Sequence, residues 1–264
     1  MAARAIWKGI IKVGAERVPI KLYSAVEDRT VRFNVLEKST MTRITQHMVN
    51  PESGEEVPND HIQKAYEVEP GIYVRLTNED LEKAKPEESR DIEIMRFVSA
   101  SHIDQQWYDR PHYLGPDESD AASYFALAAA LENEKREGIA RWTMRNIRYV
   151  GALRSQGGYL MLITLKFAEE VLSADELPQP AGRPPDAKEL KMAEQLVQAL
   201  EDEFRPQDYH DEYRERVMKF IEAKAKGLKP KLRIVARKKE TTSLADTLAA
   251  SLKAVKRDKE RAVA

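Results

Sequence analysis

His210-Asp211-Glu212 is the only close cluster in the chain of a histidine with two carboxylates, the residue types a proton relay needs. Its neighbours point elsewhere. The cluster opens a segment of helical period, where acidic residues suit the positive end of a helix dipole. His47, His61, His102 and His112 are scattered and lack metal-ligand spacing. Glu55-Glu56 and Glu87-Glu88 are paired acids, but pairs are common when 33% of residues are charged. The chain has no Gly-Lys-Ser/Thr phosphate loop, no GxGxxG turn after a strand and no GxSxG elbow. It has no cysteine, which excludes disulfides, thiolate zinc sites, iron–sulfur clusters and a cysteine nucleophile, and fits a reducing cytoplasm. The residues therefore predict a protein that is not an enzyme and carries no cofactor or metal.

The remaining chemistry is charge. The net charge of −1 conceals a split. Residues 224–264 hold 13 Lys and Arg against 4 Asp and Glu, a net of +9, which leaves −10 for residues 1–223. A basic tail of this kind predicts a polyanionic partner, and a merely solvated terminus is the alternative. No run approaches the roughly 18 apolar residues of a membrane span, and the first residues lack the apolar core of a secretory signal.

The elements that would present these charges read mainly as strands up to residue 170. Val18, Ile20 and Leu22 share one face, with Lys21 and Tyr23 on the other. Val31–Val35 repeats the alternation with Arg32 opposite Val31 and Phe33, and Met41–Val49 follows loosely with Arg43 opposite Ile44. Ile72, Val74 and Leu76 predict a further buried face, and Ile92–Phe97 another strand. In Ile139–Arg145, Ala140, Trp142 and Met144 face the core while Arg141, Thr143 and Arg145 face away, and Arg148 follows on the next strand. Gly157-Gly158 predicts a hairpin between Tyr149–Leu153 and Tyr159–Phe167. Short helices are expected after the capping box at Thr77–Asp80 and over Ser119–Glu134. Many strands and few helices predict an α+β, mainly β chain built on a barrel or sandwich.

Four prolines between Pro178 and Pro185 end the β region. One helix is predicted from near Asp186 to before Pro206 and a second from about Asp208 to Lys226, stopped by Gly227. A last amphipathic helix is predicted over Ser243–Lys256, aligning Leu244, Leu248, Leu252 and Val255.

The ordered words of the sequence resemble one family. They are Ala5-Ile6-Trp7-Lys8-Gly9, Val18–Ala25, Asn50–Pro58, Lys64–Glu67, Ile92–Ile94 with Phe97-Val98, Tyr113-Leu114 with Pro116-Asp117, Glu189–Ala193 and Tyr209–Tyr213. Over roughly residues 3–226 the chain resembles bacterial Ku, the DNA-end-binding protein of non-homologous end joining. The resemblance implies a ring-shaped homodimer without catalytic activity, threaded by a double-stranded DNA end, in the bacterial cytoplasm at the nucleoid. It implies a Ku-type β-barrel core over 1–178 with a strand-built arch inserted at about 29–77, a helical arm over 186–226 and a basic tail over 227–264. The implied partners are DNA ends, a second copy of the chain and the multifunctional ATP-dependent end-joining DNA ligase.

A clamp for any broken end must read phosphates and shape rather than base edges, so its contacts should be Lys and Arg on rigid strands. The resemblance assigns DNA contact to Lys21 and Arg145, and to Arg32, Arg43 and Arg148 beside them. Lys238 and Lys239 of the tail are expected to touch DNA, while Leu244, Leu248 and Leu252 dock on the ligase. Some relatives carry a cysteine pair near His47–Gly54; its absence here implies no zinc. An adaptor whose basic tail binds DNA or a protein without threading is the competing reading, and a β-barrel enzyme with an unrecognised site is a third.

Overall fold

Strands that alternate apolar and polar residues must bury one face, and here seven of them do so by closing on themselves. The computed structural model describes residues 4–117, 121–179 and 181–227, together with residues 248, 249, 251 and 253. The chain divides into two compact units, Met1–Glu176 and Leu177–Ala264.

The first unit holds strands β1 (Trp7–Val13), β2 (Glu16–Ser24), β3 (Lys64–Glu69), β4 (Ile72–Leu76), β5 (Asp91–Ser99), β6 (Tyr108–Pro116), β7 (Arg136–Met144), β8 (Ile147–Gln156) and β9 (Tyr159–Leu165). Its helices are α1 (Asn78–Lys83) and α2 (Ala121–Glu134). The barrel runs β1-β2-β6-β9-β8-β7-β5 and closes back onto β1. Every contact is antiparallel except β5 on β1, which is parallel and brings Ile92 beside Ile11. Val18, Ile20 and Leu22 of β2 point inward, as their spacing predicts, with Ile11, Ile92, Leu114, Ala140, Trp142, Leu153, Leu160 and Leu162. α2 adds Tyr124, Ala128 and Leu131 to the same cluster, and the Trp142 and Tyr149 rings stack at 5.3 Å. Gly157 and Gly158 form the expected β8–β9 hairpin turn, both left-handed at φ 59° and 78°.

Between β2 and β5 the structure corrects the sequence reading. Val31–Val35 and Met41–Val49 are not strands; only the isolated bridges Leu36↔Arg43 and Val49↔Glu56 form there. Phe33, Val35, Ile44 and Met48 stand more than half exposed. Alternation makes a strand only where a neighbour takes its hydrogen bonds and a layer covers its apolar face. β4 does form, paired with β3, but Ile72 and Val74 are exposed rather than buried because a two-stranded hairpin brings no covering layer. Thr77 caps α1 as predicted: its hydroxyl accepts from the Asp80 amide while the Asp80 carboxylate accepts from Thr77.

The second unit contains α3 (Ala187–Leu200) and α4 (Glu212–Ala225). Asp186 caps α3 through the Lys188 and Glu189 amides, and Glu189 closes the capping box. α4 begins at Glu212 rather than Asp208 because Pro206–Asp208 is a separate 3₁₀ turn and Asp211 supplies the cap, accepting from the Arg214 amide. That explains His210-Asp211-Glu212 structurally. The apolar residues Leu190, Val197, Leu200, Tyr213 and Ile221 are exposed, and neither helix has a buried residue.

Candidate nucleic-acid interface

The alternation that sends Trp7, Gly9 and Ile11 inward turns Lys8, Ile10 and Lys12 outward. An inward glycine is required at position 9, since an added Cβ would lie 2.3 Å or less from two atoms of the Trp7 ring. On β2 the outward residues are Arg17, Pro19, Lys21 and Tyr23. Register then assembles charges that are distant in sequence. Arg17 pairs with Lys12, Lys12 with Glu93, Glu93 with Arg141 and Arg141 with Val150, one row crossing β2, β1, β5, β7 and β8. Beside it, Lys21 stands opposite Lys8 and Arg148 opposite Thr143. Strands lie about 4.8 Å apart, so the row spans roughly 20 Å of rigid surface.

Carboxylates punctuate this basic face. Asp117 lies 3.1 Å from the Lys21 ammonium and 3.5 Å from that of Lys8. Asp91 pairs with Lys12 and lies 3.7 Å from Arg17, and Glu93 lies 3.3 Å from Arg141. The Lys21 side chain is only 19% exposed, held against its strand rather than waving in solvent.

Arg145 is not a strand residue as alternation predicts. With Asn146 it forms the β7–β8 turn, both residues left-handed at φ 53° and 62°. The turn sets Arg145 in a cleft of about 340 Å³ with Trp7, Ser89 and Arg90. An adjoining cleft of about 340 Å³ holds Arg148 and Arg141 with Glu87, Asp91 and Glu93.

Arg32 and Arg43 do not join this face. Arg32 pairs with Asp28 at 2.8 Å, where the Thr30 hydroxyl and then the Arg32 guanidinium hold the Asp28 carboxyl well below the usual carboxylate range. Arg43 donates to the Asn34 side-chain oxygen, and both arginines belong to the exposed segment between β2 and β3. Leu248 is helical and half-buried; Lys238, Lys239, Leu244 and Leu252 lie outside the described residues. Structure thus unites Lys21, Arg145 and Arg148 on one region of the barrel and adds Lys8, Lys12, Arg17 and Arg141. The alternation of β1 was the signal for Lys8 and Lys12, blurred because its inward set includes a glycine.

Away from this exposed face, one polar cluster of the barrel is buried. Glu137 is 3% exposed; it accepts from the Tyr108 hydroxyl at 2.8 Å and lies 3.5 Å from Arg154. Desolvation first, and the bond to Glu137 second, push the Tyr108 phenol up to about 12. This cluster ties β6, β7 and β8 together, as an internal network does when every member is satisfied.

Comparison with known proteins agrees with this architecture. Residues 13–192 match the family model of the Ku70/Ku80 beta-barrel domain. The chain is 40% identical over 230 residues to the non-homologous end joining protein Ku of Coxiella burnetii, covering 86% of this chain and 84% of that one. It is 40% identical over 259 residues to the Anaeromyxobacter protein of the same name, covering 97% and 87%. With the Archaeoglobus fulgidus protein it shares 34% identity over 254 residues, 96% of this chain and all of the relative. A family model matched over residues 13–192 and identities of 34–40% over most of the chain establish the kinship: the chain belongs to the Ku family.

Proposed function

We propose that the chain is a non-enzymatic homodimeric clamp that binds double-stranded DNA ends regardless of sequence and acts in double-strand break repair by non-homologous end joining. The observation that carries this reading is the cationic row on the outer face of the barrel. Its charges sit on hydrogen-bonded strands, so the main chain that carries them is already ordered and they can meet a phosphate backbone without reading bases. The relatives named above, each called a non-homologous end joining protein, support the same assignment.

In this reading residues 1–178 form the cradle, the segment at about 29–77 closes over the duplex as an arch, and 186–226 serves as an arm that grips a second copy. The exposed apolar faces of β4, α3 and α4 supply surfaces such a dimer would bury. The tail over 227–264 contributes Lys238 and Lys239 to DNA and Leu244, Leu248 and Leu252 to the end-joining ligase. The work place is the nucleoid in the cytoplasm.

Topology supplies the test. The protein is mixed with a blunt linear duplex and with the same sequence as a covalently closed circle. Binding to the linear form alone, with complexes trapped once the linear DNA is circularised, supports a threaded clamp. Equal binding to both forms overturns threading and favours an adaptor with a nonspecific basic tail. For the tail, Leu248→Asp should abolish ligase stimulation while leaving end binding intact; unchanged stimulation refutes the docking assignment.

A further inference from the structure

The cations of the barrel face do not stand in equivalent states. Five of the seven are already held by carboxylates: Lys12 and Arg17 by Asp91, Lys8 and Lys21 by Asp117, and Arg141 by Glu93. Among the described residues, Arg145 and Arg148 alone of the seven have no ion pair or hydrogen bond through the side chain. Two of the three carboxylates are shared. Each of Asp91 and Asp117 draws two cations from two different positions onto itself, and both are only about a quarter exposed, at 25% and 28%. Partial burial keeps such contacts from being screened as fully exposed pairs are.

A carboxylate gathering two cations offers them what a phosphate oxygen would offer, an anion within ion-pair and hydrogen-bonding reach. We propose that Asp91 and Asp117 are resident competitors of the DNA phosphates. Each occupies cations that would otherwise contact the backbone, and duplex DNA engages those cations only by displacing the carboxylate or sharing with it. The arrangement holds affinity below what seven cations could deliver. The proposal rests on the assignment of this face to DNA.

Neutralising either carboxylate leaves one more net positive charge on the face. Each added phosphate contact steepens the dependence of log affinity on log salt by about 0.9. Asp91→Asn and Asp117→Asn should therefore each tighten binding to a short blunt duplex at low salt. Each should also enlarge the affinity lost between roughly 50 and 200 mM salt by a further factor of roughly 3.5. Asparagine keeps the size and one acceptor of aspartate, and thermal melts at a fixed protein concentration verify folding. Glu134→Gln, at the exposed end of α2, controls for net charge: it should leave affinity and slope unchanged.

Arg145→Ala and Arg148→Ala separate the two claims. If they weaken duplex binding while the Asp variants leave affinity and slope at the native values, the competitor proposal is wrong and the DNA face stands. If Glu134→Gln tightens binding as much as Asp91→Asn, bulk charge is the cause and the proposal is likewise overturned. If neither arginine substitution changes binding, this face does not contact DNA, and both claims fall.

Discussion

Tyr124 should be the single hydroxyl on which the barrel depends most. It is fully buried on α2, donating to the Leu114 carbonyl oxygen at 2.5 Å and accepting from the Leu160 amide at 2.9 Å. Leu114 and Leu160 are cross-strand partners of β6 and β9, so the hydroxyl stands within the ladder and serves a backbone group of each strand. Tyr124→Phe keeps the ring and its edge-on contact with Phe125 at 5.3 Å and removes only the oxygen. Two buried backbone groups then lose a partner, at about 1–3 kcal/mol each. Some of that returns if neighbours relax, so the expected loss is about 3 kcal/mol, a large share of the roughly 5–15 kcal/mol of an ordinary domain. For a chain of this size it corresponds to a fall of roughly 6–12 °C in Tm. Urea unfolding followed by tryptophan fluorescence, to which the 2%-exposed Trp142 contributes, reads the change. Protein concentration must be held constant, because oligomerisation shifts apparent stability. A loss under about 0.5 kcal/mol would refute the reasoning, since it would mean that the Leu160 amide and Leu114 carbonyl bond each other once the hydroxyl is gone.

Three further outcomes follow from local geometry. Gly151→Ala would place a Cβ 2.6 Å from the Ile163 carbonyl oxygen and 2.7 Å from the Trp142 ring, so β8 and β9 must part. It should cost at least about 1–3 kcal/mol, seen as a lower Tm with altered tryptophan emission, and a native Tm would contradict the strand spacing. Burial holds the His112 imidazole below its ordinary value of 6.5, and its Nδ1 is buried without a partner. The unfolded chain therefore binds that proton at higher pH than the folded one. Stability is fully present above pH 6.5 and is lost as pH falls from there through the depressed folded value, by at most about 1.4 kcal/mol per pH unit. His112→Gln should flatten this limb in urea titrations between pH 7 and 5; an unchanged slope assigns the effect to other groups. Asp186→Ala removes the acceptor for the Lys188 and Glu189 amides, so α3 should lose about 1 kcal/mol. Faster amide exchange at Lys188 and Glu189 reports it, and unaltered rates would show that the cap contributes nothing.

Features that a few neighbouring residues decide could be read from the chain itself. The inward faces of β2 and β7, the Gly157-Gly158 turn, the capping box at Thr77 and the helix start near Asp186 depend on side-chain period, on left-handed backbone and on hydrogen bonds across three residues. The family resemblance was legible for a related reason, because its words lie along contiguous segments. Three kinds of feature were not. Alternation over Val31–Val35 and Met41–Val49 had no way to show that no sheet waits to receive it, nor that Ile72 and Val74 would remain uncovered. The period of β7 carried Arg145 onward as a strand residue, whereas two non-glycine residues take left-handed backbone to turn the chain there. The charged face emerged only from pairing: Lys12 meets Glu93 through the parallel contact of β1 with β5, and Glu93 meets Arg141 through the next register. Sequence determines which residues of a strand share a side, because that follows from local backbone geometry. Which strands become neighbours, and therefore which cations share a carboxylate, is decided by closure of the barrel, where burying one common core fixes contacts between residues some eighty positions apart.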